Sequence, residues 1–508
     1  MEGEGSGVGS GDHNLPQGGK IVSRISIYFF VVVLACCLRS FAQYSVAPTD
    51  RTVRATLGVY PDNQDSGCAD SGPPVATPLK NTFGLIFSRL TDGCTGPSFS
   101  GPVNYWINYF SVPGPAYIPN FGATVTGYDI AVPEVNGAGS VLFKVDPKTM
   151  DVYKWCDSAW PNCLMPYTGE FSYVTPGLLY YASGTDVMSY NYDTSTGPSV
   201  VYDFSTCPGL LNVSEGEVGP LYVSHNDNVI ANWLPDNHTF ALYNQKTGAC
   251  NWFDIGYGTY GGSKKSGSLS DQTFTKNTFH TATINADGTW VYFQTANPQS
   301  GLYSFFWQVG TSNAGVCEVY DWCGGHMAVA QKTAFYVISE PNSGGVPPHY
   351  DYGSFLIANY ANESASNVTH LIPTGPPTFN PENPDGTCNV TDTHPNWNQG
   401  SDSAPIIVSS FVDETPPNGY SLMQIVCAWD HEIDAVASDG SGTVWRLMHN
   451  RADGLATPTS SPDSNYNALS MPSCAKDGKI CIFATDWQQA LGVYQNTARV
   501  DVFAIRLK

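Results

Sequence analysis

Four histidines stand at corresponding places in successive copies of a short repeat. Only ten histidines occur in the 508 residues, so chance would rarely align four of them. Neutral imidazoles that converge around one axis could bind a divalent metal such as Zn²⁺, Mn²⁺ or Ca²⁺ and leave a position open for water. We therefore predict metal ligands, two of them (His280 and His326) also catalytic, at His225, His280, His326 and His394. The alternative is that duplication copied a histidine that only hydrogen-bonds within its own repeat.

Cationic side chains occur in or beside the long segments that precede several repeat copies. These segments, such as 257–276 and 452–468, should lie on the same face as the histidines, where binding sites concentrate. Cations next to a histidine could hold the carboxylate of an acidic sugar, although solvated loop charges would look the same in the sequence. The predicted substrate-binding residues are Lys264, Lys265, Arg446, His449 and Arg451.

The repeat itself predicts the elements that would position these side chains. Asp287-Gly288 and Asp477-Gly478 each stand between two alternating apolar segments, which is a strong signal for a β-hairpin. Seven copies with this form begin near residues 128, 171, 225, 280, 326, 394 and 470. We therefore predict an all-β fold, a β-propeller of seven four-stranded blades.

The last repeat copy ends after its third strand, Val500–Leu507. A propeller leaves no open sheet edge, so the fourth strand must come from elsewhere in the chain. The segments 84–90 and 53–59 are the candidates. The sequence thus predicts that an N-terminal strand closes the ring.

Composition excludes several classes of protein. The 50 Gly, 36 Pro and 13% aromatic residues argue against a coiled coil, a helical solenoid and a disordered chain. The net charge of −22 argues against binding to nucleic acid, which requires a basic surface.

The N-terminal residues have the pattern of an export signal. Lys20 and Arg24 precede the apolar segment Ile25–Leu38, and Ser40–Ala42 ends in a small-x-small cleavage pattern. Cleavage after Ala42 would leave a secreted, periplasmic or extracellular chain without a membrane span. Lipid attachment at Cys36 and an uncleaved anchor are the alternatives.

We expect the chain to divide into three parts. Residues 1–42 form the signal peptide, and residues 43–125 form a Pro/Gly-rich segment that supplies a closing strand or a cap. Residues 126–508 form the propeller.

Twelve cysteines lie outside the apolar N-terminal segment, an even number that is typical of disulfides in an oxidising compartment. Pairing between neighbours in the sequence is the simplest arrangement, but cysteine spacing does not determine connectivity.

The repeat resembles secreted seven-bladed propellers of the TolB type and of the oligogalacturonate-lyase family. The resemblance covers roughly residues 125–508, and its motifs are His394-Pro395-Asn396-Trp397, His280…Asp287-Gly288 and Asp477-Gly478…Phe483-Ala-Thr-Asp486-Trp487. It implies a propeller fold, a polysaccharide substrate, and a divalent metal held by clustered histidines and a glutamine. This chain has no close His-x-His pair and no glutamine at a matching place.

We therefore expect an extracellular carbohydrate-active propeller that acts as a metal-assisted uronate lyase. The alternative is a non-catalytic propeller that binds a ligand, a surface or another protein.

Overall fold

A computed structural model describes the part of the chain that forms the sheets. All of its described residues belong to one compact unit, Val46–Lys508. They are residues 78–81, 83–91, 116–121, 125–133, 140–146, 148–154, 164–165, 169–192, 194–210, 221–268, 278–297, 301–316, 327–337, 355–360, 368–371, 392–397, 399–411, 432–450, 470, 472–485, 487, 493–494, 497–498 and 501–507. Candidate residues His326 and Arg451 and the export signal lie outside these ranges.

Six sheets are each built from one continuous stretch of chain, and a seventh sheet joins strands from both ends. The seventh, sheet G, begins with β1 (Leu79–Lys80) and β2 (Ile86–Arg89). The strands of sheets A, B and C follow in chain order. Sheet A contains β3 (Ala116–Phe121), β4 (Val125–Pro133), β5 (Ser140–Val145), β6 (Val152–Lys154) and β7 (Leu164–Met165); sheet B contains β8 (Gly169–Phe171), β9 (Leu178–Ser183), β10 (Asp186–Asn191) and β11 (Thr196–Asp203); sheet C contains β12 (Leu221–Val223), β13 (Val229–Trp233), β14 (Thr239–Asn244), β15 (Ala249–Asp254), β16 (Thr259–Gly262) and β17 (Gly267–Ser268).

The remaining strands complete sheets D, E, F and G. Sheet D contains β18 (Thr278–Ile284), β19 (Trp290–Asn297), β20 (Gly301–Gln308) and β21 (Ala314–Val316); sheet E contains β22 (Met327–Val329), β23 (Thr333–Val337), β24 (Phe355–Asn359) and β25 (Val368–His370); sheet F contains β26 (Asp392–Asn396), β27 (Ile406–Phe411), β28 (Glu432–Val436) and β29 (Val444–His449); sheet G ends with β30 (Ser473–Cys474), β31 (Ile480–Thr485) and β34 (Asp501–Arg506), and β32 (Val493–Tyr494) and β33 (Thr497–Ala498) form a separate ribbon. Among the described residues, helical structure is limited to one 3₁₀ turn, Phe204–Thr206, and to Tyr360.

The sheets pack face to face because strands such as β19 are apolar on both faces. In β19, Val291 and Phe293 pack into a core shared with sheet C, whereas Tyr292 between them packs toward sheet E. Alternating side chains of a strand point to opposite faces, so a strand buried on both sides reads as a continuous apolar run. The first strands of neighbouring sheets also contact one another, as β12 does with β8 and β18. First strands therefore line a central channel, and the fold is an all-β β-propeller.

Sheet G joins the two ends of the described chain. Strand β2 pairs antiparallel with β34, with Phe87 opposite Ile505. The buried side chain of Arg89 forms an ion pair with Asp501, and Thr91 Oγ1 donates a hydrogen bond to Asp501 Oδ1 at 3.0 Å. Strands β1, β2 and β3 all precede residue 126, where the sequence places the start of the propeller.

Both Asp-Gly hairpins are present. Gly288 and Gly478 occupy the left-handed turn position, with φ of 69° and 64°. Added side chains at these positions would be strained, which explains why the sequence signal was informative.

Two disulfides join the predicted neighbours. Cys207–Cys250 connects the end of sheet B to β15 of sheet C, and Cys474–Cys481 links the paired strands β30 and β31. These two pairs confirm sequential pairing for their four cysteines. The other predicted pairs lie outside the described residues.

In the described part of the chain, no helix is long and apolar enough to cross a membrane.

Candidate functional site

Hairpins from several sheets meet at one end of the channel. Three hairpins between first and second strands close with the same backbone hydrogen bond, from Ser224 to Val229, Asn285 to Trp290, and Ala475 to Ile480. The next residue in each hairpin is therefore structurally equivalent. These equivalent residues are His225, Ala286 and Lys476, and Tyr173 follows the corresponding Ser172 in the wider turn of sheet B.

Tyr173, His225, Asp227 and Lys476 contact one another, and we call these four residues the channel-mouth cluster. The rings of Tyr173 and His225 pack with centroids 4.4 Å apart. The Lys476 ammonium donates a hydrogen bond to the His225 carbonyl oxygen at 2.6 Å and lies 5.5 Å from the centroid of the Tyr173 ring. Asp227 Oδ1 accepts a hydrogen bond from the Tyr173 backbone N–H at 2.9 Å, which holds this turn against sheet C.

The hairpin of sheet F packs against His225 from across the channel. Gly400 has a φ of 65°, and a Cβ added there would lie 2.1 Å from His225 Nδ1. Only glycine allows this approach, because a larger residue would have to displace the imidazole. The hairpins therefore narrow this end of the channel around His225.

A cavity of about 70 Å³ lies beside the channel-mouth cluster and has room for a few water molecules. Its walls come from sheets B to F, from Glu170 in β8 to Asn396 in β26, and it also touches Tyr173 and His225. The cavity is therefore continuous with the cluster, and both belong to one candidate site.

Burial and the Lys476 charge determine the ionisation of this site. Burial, assisted by Lys476, lowers the pKa of His225 to about 4, so its imidazole is neutral at neutral pH. Burial also lowers the pKa of Lys476, although Asp227 opposes this shift. Burial raises the pKa of Tyr173 and that of Glu170 well above their ordinary values, which favours the protonated form of both groups.

Because the pKa of Glu170 is raised in the folded chain, the free energy of unfolding should fall as the pH rises. Below pH 4.5, the ordinary glutamate pKa, both the folded and unfolded chains hold this proton. Above it the unfolded chain ionises first, so the free energy of unfolding falls by up to about 1.4 kcal/mol per pH unit until the folded group also ionises. We expect Glu170→Gln to be more stable than the parent at pH 8, with the gain vanishing toward pH 4, in urea titrations.

Asp439 provides the opposite control for this experiment. A hydrogen bond from the Ser441 side chain, followed by one from its backbone, lowers the pKa of Asp439. Asp439→Asn should therefore lose a little stability at pH 8 and lose none at low pH. If Glu170→Gln raised the free energy of unfolding by the same amount at every pH, the prediction for the buried carboxyl would be contradicted.

Two of the predicted histidines, His225 and His280, occupy different levels of the channel. The His225 backbone N–H bonds to the carbonyl of Ala286, six residues after His280 in sheet D. Six nearly extended residues span about 15–20 Å, so His225 and His280 lie at different depths along their strands. His394 is fully buried, with Nδ1 3.1 Å from the Ser470 carbonyl oxygen. The side chain of His280 lies outside the described part of the structure.

The predicted cationic residues do not reach the channel-mouth cluster in the described part of the chain. Lys264 and Lys265 are exposed on the turn between β16 and β17. Arg446 is 2% exposed and donates from Nε to Glu432 Oε2 at 2.7 Å, and His449 Nε2 lies 3.1 Å from Glu432 Oε1. This environment favours a structural role for Arg446.

The described residues do not fit a metal centre. No group of three His, Cys, Asp or Glu side chains among them is arranged to hold a metal ion. At the channel mouth the Lys476 ammonium lies beside His225 and would repel a cation. A metal site at the four histidines stays a prediction.

Sequence reasoning missed Glu170, Tyr173, Asp227 and Lys476. The available signal was the hairpin alignment: Lys476 directly precedes Asp477-Gly478, and His225 occupies the same position in its own repeat copy. Aligning the turns rather than the strand starts would have placed both residues on one ring.

The solved structures similar to this chain share little sequence identity with it. An oligogalacturonate lyase in complex with manganese is 12% identical, with a TM-score of 0.48 over 85% of this chain and 96% of that chain. An oligogalacturonate lyase from Vibrio parahaemolyticus is 10% identical, with a TM-score of 0.48 over 85% of this chain and 97% of that chain. A TolB-type protein from Agrobacterium tumefaciens is 12% identical, with a TM-score of 0.26 over 51% of this chain and 79% of that chain.

No protein-family model matches the chain, and no curated protein matches it. The strand pairing described above establishes the fold independently of these similarities. The chain is thus a β-propeller that resembles oligogalacturonate lyases and TolB-type propellers.

Proposed function

We propose that the chain is a secreted carbohydrate-active propeller that binds an acidic saccharide at the channel-mouth cluster. The observation that carries this proposal is the position of Lys476. Its ammonium is exposed at the narrowed channel end, beside the Tyr173 ring, and one of its three N–H groups bonds to a backbone carbonyl. The remaining donors can bind the carboxylate of a uronate sugar, and the Tyr173 and His225 rings supply apolar faces beside it.

The same cluster supplies the groups for cleavage by β-elimination, which is the second candidate activity. Lys476 would neutralise the sugar carboxylate so that the neighbouring C–H becomes more acidic. The neutral His225 imidazole would take that proton, a C=C bond would form as the C–O bond breaks, and the Tyr173 hydroxyl would protonate the leaving oxygen. The contact between the Tyr173 and His225 rings favours this candidate, because it keeps the proton donor and acceptor together.

Export is supported by the two disulfides, which are typical of oxidising compartments.

We further propose that the seven sheets are the seven blades of one ring and that β2 closes it. The supporting contacts run between neighbours. Sheet A shares a core with sheet G, where Tyr128 packs with Ile480, and the other sheets share cores in chain order from A to F. Between sheets F and G, the Asn81 amide donates to the Leu447 carbonyl at 2.7 Å.

Substitution of Lys476 tests the binding proposal. A charge-assisted hydrogen bond contributes about 1.5–3 kcal/mol, so Lys476→Met should raise the Kd for oligogalacturonate by about 10- to 100-fold in calorimetric titrations. Lys479→Met is the matched control, because Lys479 belongs to the same hairpin, is exposed and forms an ion pair with Asp477 at 3.2 Å. An unchanged Kd for Lys476→Met would remove the basis of the proposal.

Ultraviolet absorbance of the unsaturated product distinguishes the two candidate activities. A lyase should produce this absorbance, and His225→Ala and Tyr173→Phe should abolish it while oligogalacturonate still binds. Binding without product would identify a non-catalytic binding propeller. Repeating the assay with a chelator tests the metal predicted at the histidines.

A further inference from the structure

Glu170 presents an unpartnered carboxyl oxygen in the interior of the propeller. The side chain lines the channel cavity and is 5% exposed. Its Oε2 has no hydrogen-bond partner among the described residues. Buried polar atoms in folded proteins nearly always have a partner, so this oxygen calls for a bound polar molecule.

Asn232 provides a second, independent observation in the same interface. Its side chain is fully buried, and neither its amide nitrogen nor its amide oxygen has a partner in the described part of the chain. Asn232 lies two residues after Ile230, which packs against sheet B, and Glu170 lies opposite Tyr180, which packs against sheet C. Because side chains alternate along a strand, both unpartnered groups face the space between sheets B and C.

The chemistry of these groups determines which ligand they suit. Burial favours the protonated form of a carboxyl, which offers one O–H donor and one acceptor oxygen, and the Asn232 amide offers both donors and an acceptor. A cation would require several anionic ligands, which the described residues do not bring together. Neutral hydroxyl groups, which both donate and accept, match this set.

We infer that Glu170 and the cavity that it lines, with Asn232 in the same interface between sheets B and C, form a subsite for the neutral hydroxyl groups of a saccharide. This subsite, the lumen subsite, is continuous with the channel mouth, because one cavity touches Glu170, Tyr173 and His225. The inference rests on the proposed function. The inference extends the proposed function, because it assigns the sugar carboxylate to Lys476 and the ring hydroxyls to the lumen subsite.

Calorimetric titration with oligogalacturonate tests the lumen subsite in four proteins: the parent, Glu170→Gln, Glu170→Leu and Lys476→Met. Gln keeps a donor and an acceptor, so Glu170→Gln should bind within about threefold of the parent, whereas Glu170→Leu should bind about tenfold or more weakly. Thermal unfolding of each variant shows that the protein is folded at the titration temperature. If Glu170→Leu does not fold, Asn232→Leu takes its place with the same expectation.

The outcomes separate this inference from the proposed function. Equal binding by Glu170→Leu and the parent, with weaker binding by Lys476→Met, would overturn the lumen subsite alone. Equal losses of affinity in Glu170→Gln and Glu170→Leu would show that binding requires an ionised carboxylate. That result would contradict the inference that Glu170 acts as a neutral hydrogen-bond donor. Absence of binding by the parent protein would overturn both proposals.

Discussion

Replacing Arg89 by methionine is expected to lower the free energy of unfolding by about 3–5 kcal/mol. Arg89 and Asp501 are 3% and 0% exposed, and their ion pair joins β2 to β34. Removing the guanidinium leaves a buried carboxylate without its countercharge, which costs far more than losing a surface ion pair. Urea unfolding monitored by tryptophan fluorescence measures the change.

Two further variants show whether the loss comes from the buried charge. Arg506→Met changes an arginine of the paired strand β34 that is only partly buried and should cost less than about 1 kcal/mol. Arg89→Met combined with Asp501→Leu should recover part of the stability, because an apolar pair carries no desolvation cost. A loss of under 1 kcal/mol for Arg89→Met would argue that β2 does not close the sheet.

Replacing Arg446 by methionine should have an effect of the same size, about 3–5 kcal/mol. Its guanidinium donates to both oxygens of Glu432 and lies 5.1 Å from the centroid of the Phe83 ring. Asp434 lies opposite Arg446 across the strand pair, and burial followed by the charge of Glu432 raises the pKa of Asp434. Without Arg446, two carboxyl groups would share a buried site with no guanidinium.

The same variant tests the sequence prediction that Arg446 binds substrate. Arg446→Met should unfold at lower urea concentration but keep the parent Kd for oligogalacturonate at temperatures where it is folded. Glu432→Gln in the Arg446→Met background should restore some stability, because it removes the unpaired charge. Loss of affinity with unchanged stability would instead support a substrate-binding Arg446.

Local sequence patterns were sufficient to predict the elements of this fold. Asp287-Gly288 and Asp477-Gly478 predicted hairpins because a left-handed turn position strongly favours glycine, which is a property of the chain itself. Apolar segments beside these turns predicted strands, and the structure shows that strands such as Trp290–Asn297 are buried on both faces. The short cysteine spacing at 474 and 481 likewise anticipated a disulfide within one hairpin.

These patterns do not show which residues of neighbouring sheets lie at the same depth along the channel. The histidines were aligned at strand starts, whereas His225 lies beyond β12, level with Ala286 rather than with His280. Which residues share a level depends on how neighbouring sheets pack, and a shift of a few residues moves a side chain by about 10 Å along the channel. Single-sequence reasoning therefore predicted a ring of side chains but placed it at the wrong depth for His225.

The sequence by itself determined the all-β class and the repeated hairpins, because these depend on residues close in the chain, whereas it only predicted the disulfides that the structure shows at Cys207–Cys250 and Cys474–Cys481. Only the tertiary structure placed Lys476 against Tyr173 and His225, residues about 250 to 300 positions away. It also determined that Arg446 is buried against Glu432 and that Glu170 lines a cavity. Burial and charge pairing depend on which sheets become neighbours, and that arrangement, rather than residue type, decided which side chains form the candidate site.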